Sequence, residues 1–128
     1  MADLRSSAPG GYGGLRLVSA EITFEDDTVD LEELDAGDVV ISAWAEVTEA
    51  FDAGTTNVVI LGDGTDDDKF LAAGDVTEGS LGVTPAGGKG PFAAEAAAGT
   101  LTATYTQSGT AATAGAARVY ALVTSAPA

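Results

Sequence analysis

With 128 residues the chain has room for one domain, whose core would bury roughly two-thirds of the surface that the unfolded chain exposes. Twenty Asp and Glu against five Lys and Arg leave a net charge of −15, which excludes a phosphate-neutralising nucleic-acid surface and disfavours an anionic membrane. There is no His and no Cys, so the usual base near neutral pH, the thiol nucleophile, disulfides and the common zinc ligands are all missing.

Residues 1–14 hold Ser6, Ser7, Pro9 and four glycines around Tyr12, with no apolar run of the kind a signal peptide or membrane span needs. This composition reads as a flexible arm. From Leu15 the pattern alternates, placing Val18, Ala20, Ile22 and Phe24 on one face of a first strand. Residues 25–38 carry eight carboxylates and read as a solvated connection with room for a helical turn, ending at the turn signal Ala36-Gly37-Asp38. The next strand is predicted to put Val39, Ile41, Ala43, Ala45 and Val47 on one face and Val40, Trp44 and Thr48 on the other. With apolar residues on both faces it reads as central, and Trp44 as a core residue.

The run Asn57–Gly62 reads as a strand buried on both faces and, after the turn at Phe51–Thr55, as the hairpin partner of the strand before it. A polar loop at 63–69 follows, and Phe70-Leu71 re-enters the core. Leu34–Val40 and Leu71–Thr77 share the pattern L-x-A-G-D-V-x, which predicts one turn chemistry used twice, glycine at positive φ and aspartate accepting a local hydrogen bond. Residues 79–91, glycine-rich with two prolines, read as a loop, and Phe92–Ala98 fits a weak helix or a strand. Strict alternation over Thr100–Thr106 turns Leu101, Ala103 and Tyr105 inward, and Arg118–Val123 is the last strand. The sum is an all-β chain, an antiparallel β-sandwich of jelly-roll-like or barrel-like form: arm 1–14, one sandwich domain 15–124, tail 125–128.

Little in this chain suggests catalysis, and an enzyme is not expected. A carboxylate pair about 5–10 Å apart can hydrolyse glycosides, but with twenty carboxylates such pairs arise by chance. Gly87-Gly88-Lys89-Gly90 lacks the spacing of a phosphate loop, and Gly62-Asp63-Gly64 opens an acidic loop that would repel a pyrophosphate. Asp63, Asp66, Asp67 and Asp68 form the candidate metal cluster, since Ca²⁺ takes six to eight oxygens from carboxylates and loop carbonyls. The competing reading is a turn-forming loop whose aspartates accept backbone hydrogen bonds. No other cofactor is implied. Tyr12 has nothing local to pack on, and with Arg5 and Leu15 it makes a candidate contact with a neighbouring subunit or a capsid.

Three stretches resemble small structural proteins of tailed viruses. They are Ala36–Val40, Val47–Thr55 with the strand ending Leu61-Gly62-Asp63, and Thr113–Tyr120. The resemblance implies a β-sandwich virion component on the capsid exterior, a decoration or turret protein partnered with the capsid protein, or else a tail-fibre or receptor-binding module. The acidic segment 25–35 has no counterpart in it. Two lysines among twenty carboxylates also resemble the proteins of salt-loving archaea, where molar salt shortens the Debye length to about 3 Å and screens self-repulsion. An acidic protein of an ordinary organism is the alternative. The expectation is therefore a virion protein of a haloarchaeal virus, made in the host cytoplasm and assembled as a homo-oligomeric ring of three or five. A cellular Ca²⁺-dependent carbohydrate-binding domain is the non-viral alternative.

Overall fold

The computed structural model describes residues 14–125, which hold seven strands and no helix: β1 (Leu15–Thr23), β2 (Thr28–Leu34), β3 (Val39–Glu49), β4 (Thr56–Gly62), β5 (Gly82–Lys89), β6 (Gly99–Ser108) and β7 (Ala116–Thr124). They form two antiparallel sheets, one ordered β1-β7-β3-β5 and the other β2-β6-β4. Consecutive strands never share a sheet. Instead β1 pairs with β7, β2 with β6 and β3 with β5, as in one long hairpin rolled up on itself. That is the jelly-roll arrangement, here with three strands in its second sheet. The isolated bridge Leu61 to Leu71 lies beside β4, close to the tip of the rolled hairpin.

Between the sheets lies a core of Val, Leu, Ile and Ala with few aromatics. Alternation supplies it directly in three strands: Val18 and Ile22 from β1, Leu101, Ala103 and Tyr105 from β6, and Ala117, Val119, Ala121 and Val123 from β7 are all buried. Each fully buried Val, Leu or Ile contributes about 1.5–3 kcal/mol. Tyr105 keeps its hydroxyl satisfied by donating to Asn57 Oδ1 at 2.6 Å, and its ring packs against Phe51 at 4.8 Å.

Several expectations change in the fold. The acidic segment is no helical turn: Thr28–Leu34 is an edge strand, β2, whose outward carboxylates stay hydrated while a register shift between Asp30 and Glu32 leaves Leu34 buried. The glycine-rich stretch contains edge strand β5, and an edge tolerates Pro85 because it does not need that residue's backbone donor. β3 is central, as expected, but β3 and β4 are not a hairpin, since they lie in different sheets and β4 is an edge. A register shift between Val40 and Ser42 also moves Val40 to the inner face, where it joins Ala43, Ala45 and Val47, and because β3 buries only that face Trp44 points outward. Phe92–Ala98 is neither helix nor strand. Phe92 packs edge-on against Phe70, with centroids 5.0 Å apart.

Candidate functional site

Three of the four cations among the described residues, Arg16, Lys69 and Lys89, sit beside turn carboxylates. In Asp35–Asp38 and Ala72–Asp75, the two copies of the repeated motif, the first residue donates its N–H to the Asp side chain, at 2.9 and 2.7 Å, and the Asp N–H returns to the first carbonyl at 3.0 Å in both. Gly37 and Gly74 have φ of 92° and 95°, so both copies use one turn, as the motif predicts. Thr23–Asp26 repeats it without the glycine. Arg16 reaches buried Asp38 at 3.3 Å, along with Glu32 and Ser125, and Lys89 reaches Asp75 at 2.6 Å. Burial pushes the Asp75 carboxyl up, but Lys89 and the Ala72 N–H outweigh it and hold the group below its ordinary value.

Asp63 follows the same logic. Its Oδ1 accepts the N–H groups of Thr65 and Asp66 at 3.0 and 2.9 Å, and its other oxygen lies 3.6 Å from Lys69 Nζ. Lys69 bonds Glu95 at 2.5 Å, and Glu95, buried, ties the segment after β5 to the β2–β3 turn through Glu95 N–H to Asp38 O and Gly37 N–H to Glu95 O. Burial raises Asp63, yet its hydrogen bonds and Lys69 leave it below the ordinary carboxylate value. Burial raises Glu95 and prevails there. Lys69 is raised, chiefly by its bond to Glu95.

The four-aspartate cluster therefore splits. Asp66, Asp67 and Asp68 keep their carboxylate oxygens within 4.8 Å of one another on the exposed loop, while Asp63 is buried and turned to Lys69. Any cation site here would rest on Asp66, Asp67 and Asp68 with loop carbonyls and water, without Asp63. Protonated Asp68 can donate to the Asp66 carboxylate, and this, with burial and the nearby charges of Asp66 and Asp67 adding to it, pushes Asp68 up. Of the three candidate contact residues, Arg5 and Tyr12 lie outside the described residues. Leu15 begins β1 on the outer face of the four-stranded sheet and is 49% exposed.

That outer face also holds Trp44 in place of the expected core position. Its ring stacks on Tyr120 of β7, with centroids 5.3 Å apart and planes 15° apart. Two of the stretches resembling viral proteins meet at one end of the sandwich. There Asp52 accepts Thr113 N–H and Oγ1–H at 2.7 Å and Ala114 N–H at 3.0 Å, and Glu49 accepts Gly115 N–H at 3.1 Å. The Thr113 hydroxyl and the two backbone donors hold Asp52 below its ordinary value.

No protein-family model matches the chain, and neither does any curated protein. Among solved structures, a chain of the capsid asymmetric unit of cyanophage Pam1 superposes with a TM-score of 0.66 at 16% identity, over 98% of this chain and 96% of that one. The fold is one that phage capsids contain. A second similar chain comes from the acid-stable capsid of Helicobacter pylori bacteriophage KHP30, with a TM-score of 0.58, 22% identity, and 85% and 87% covered. At these identities the likeness speaks for the fold, and it covers the whole sandwich.

Sequence reasoning missed the ionic pairs because Lys69 and Glu95, or Arg16 and Asp38, are far apart along the chain. Only the repeated L-x-A-G-D-V-x motif offered a signal, and it pointed to the turn rather than to its cation.

Proposed function

We propose that the chain is a virion structural protein, a decoration or turret component on the outside of a tailed-virus capsid, assembled as a homo-oligomer. The supporting observation is the near-complete two-way coverage with a chain of a phage capsid asymmetric unit: a chain of the same extent and fold exists within a capsid. Such a role needs no catalytic group, and the chain has no His or Cys to supply one. Its charge of −15 suits a surface facing solvent, and in concentrated salt, as around a haloarchaeal virus, the self-repulsion is screened.

Quantitative composition of purified virions tests the proposal. The chain is expected in a fixed ratio to the major shell protein and retained on particles stripped of tails. Its absence from virions overturns the structural role, and recovery only with tails overturns the capsid location.

A further inference from the structure

From the outer face of the four-stranded sheet we infer a contact surface for a second copy of this chain, packed sheet to sheet about a two-fold axis. The register lays this face out in rows. Glu21, Arg118 and Glu46 form one row across β1, β7 and β3; Ser19, Tyr120 and Trp44 the next; Leu17, Leu122 and Ser42 the third; and Leu15 and Thr124 the fourth. Val83 on β5 continues the face beside Glu46.

This face is apolar where most of the surface is acidic. Leu15, Leu17 and Val83 are 49%, 58% and 49% exposed, and Trp44, Tyr120 and Leu122 are half-buried among them. Exposed large apolar residues in one contiguous patch mark an interaction surface. Within these four rows stand only the carboxylates of Glu21 and Glu46, on either side of Arg118, with Glu49 in the row beyond them beside Ala116.

Charge selects the occupant. A basic partner would be drawn to the carboxylate-rich surfaces, whereas a copy carrying −15 can approach only where carboxylates are scarce and must itself present such a surface. The same face meets that need. An axis running along the strands between β7 and β3 lays each β7 on β3 of the second copy and each β1 on its β5, within the roughly 30° offset of aligned sheets. Arg118 then stands opposite Glu46 of the second copy, and Tyr120 opposite its Trp44. Leu17 faces the hollow of about 270 Å³ lined by Ser42, Trp44, Val83, Gly87 and Gly88. The pairing is self-complementary in charge as well as shape, a state of two instead of the ring of three or five that the sequence alone suggested.

The inference goes beyond the virion reading and is tested on the purified full-length chain, so either can fail alone. Sedimentation equilibrium at about 3 M and about 0.1 M salt should give twice the chain mass, with tighter pairing at high salt as the mutual repulsion is screened. Leu17→Glu and Val83→Glu, both at exposed positions, should each weaken pairing about ten-fold or more. Arg118→Glu should weaken it, and the double variant Arg118→Glu with Glu46→Arg should recover it. Thr102→Glu, on the other sheet, serves as control and should leave the mass unchanged. Trp44 fluorescence should shift to the blue on pairing and back to the red in Leu17→Glu. A monomer at both salt concentrations overturns the inference, as does a mass of three or five chains, or pairing that survives Leu17→Glu and Val83→Glu.

Discussion

Asp63 and the run Asp66–Asp68 belong to one loop, with two residues between them, yet they live in opposite physical worlds. Asp63 is buried and wrapped by two backbone donors and a lysine, whereas its neighbours are exposed and repel one another. The contrast extends over the molecule. Asp38 and Glu95 share the first condition and half-buried Asp75 approaches it, and each has a cation within 3.3 Å. In a chain with a carboxylate excess, the few cations act where desolvation would otherwise be most costly. Asp26, Glu49, Asp52 and Glu78 instead accept backbone N–H groups, and the exposed run Asp66–Asp68 is left to hydration.

The contrast can be broken at its hinge. Lys69→Met keeps the aliphatic stem but leaves Glu95 and Asp63 buried without a cation, and should cost about 2–4 kcal/mol in chemical denaturation at neutral pH. Much of that loss should vanish in acid, where Glu95, already raised by burial, takes up a proton. A loss independent of pH would mean that Lys69 acts through packing alone. Asp63→Ala strips acceptors from the Thr65 and Asp66 N–H groups and should cost about 1–3 kcal/mol.

The pH profile separates the two signs of shift. Asp52, Asp63 and Asp75 are held below their ordinary values, so their stabilisation is complete above the usual carboxylate range and is lost as the pH falls through the lowered folded values. Asp63→Ala should therefore flatten the acid limb of a melting-temperature profile. Glu78 has the opposite sign. Burial raises it, though it accepts the Val59 N–H at 2.9 Å, and its stabilisation is present at low pH and lost as the pH rises through the raised value. Glu78→Gln keeps an acceptor without the charge and should raise the melting temperature by about 1–3 °C at neutral pH, converging with the parent chain in acid. An unchanged difference across the titration would refute the ionisation account.

The smallest effect is expected at the exposed run. Asp67→Asn should change stability by no more than about 0.5 kcal/mol, and a chelator should leave the melting temperature of the parent chain where it was. A drop on chelation that disappears in Asp67→Asn would instead establish a metal site in this loop.

Legibility varied with the range of the interaction involved. The inward residues of β1, β6 and β7 follow from alternation within nine or ten residues, and both copies of the glycine-aspartate turn follow from a motif of seven. Trp44 was misplaced because a central strand of a two-layer sandwich buries only its inner face, whereas apolar residues on both sides of Val39–Val47 suggested burial on both; the bulge near Ile41, which nothing in the sequence announces, moves Val40 inward. β2 was read as solvated because eight carboxylates masked Val29, Leu31 and Leu34, and an edge strand needs only one apolar side. The aspartate cluster was half legible: its turn chemistry is local, but the lysine, the glutamate and the burial that divide it come from the fold.

By itself the sequence determined the β class, the sign and size of the charge, the apolar periodicity of most strands, and the absence of any imidazole or thiol. These are properties of composition and of neighbours along the chain. Tertiary structure decided which strands pair, which carboxylates are buried beside cations, and that Leu15, Leu17, Trp44, Tyr120 and Val83 come together on one outer face. The reason lies in the rolled hairpin. Every connection crosses to the opposite sheet, so each strand takes its hydrogen-bonded partners from distant sequence, where local pattern carries no information.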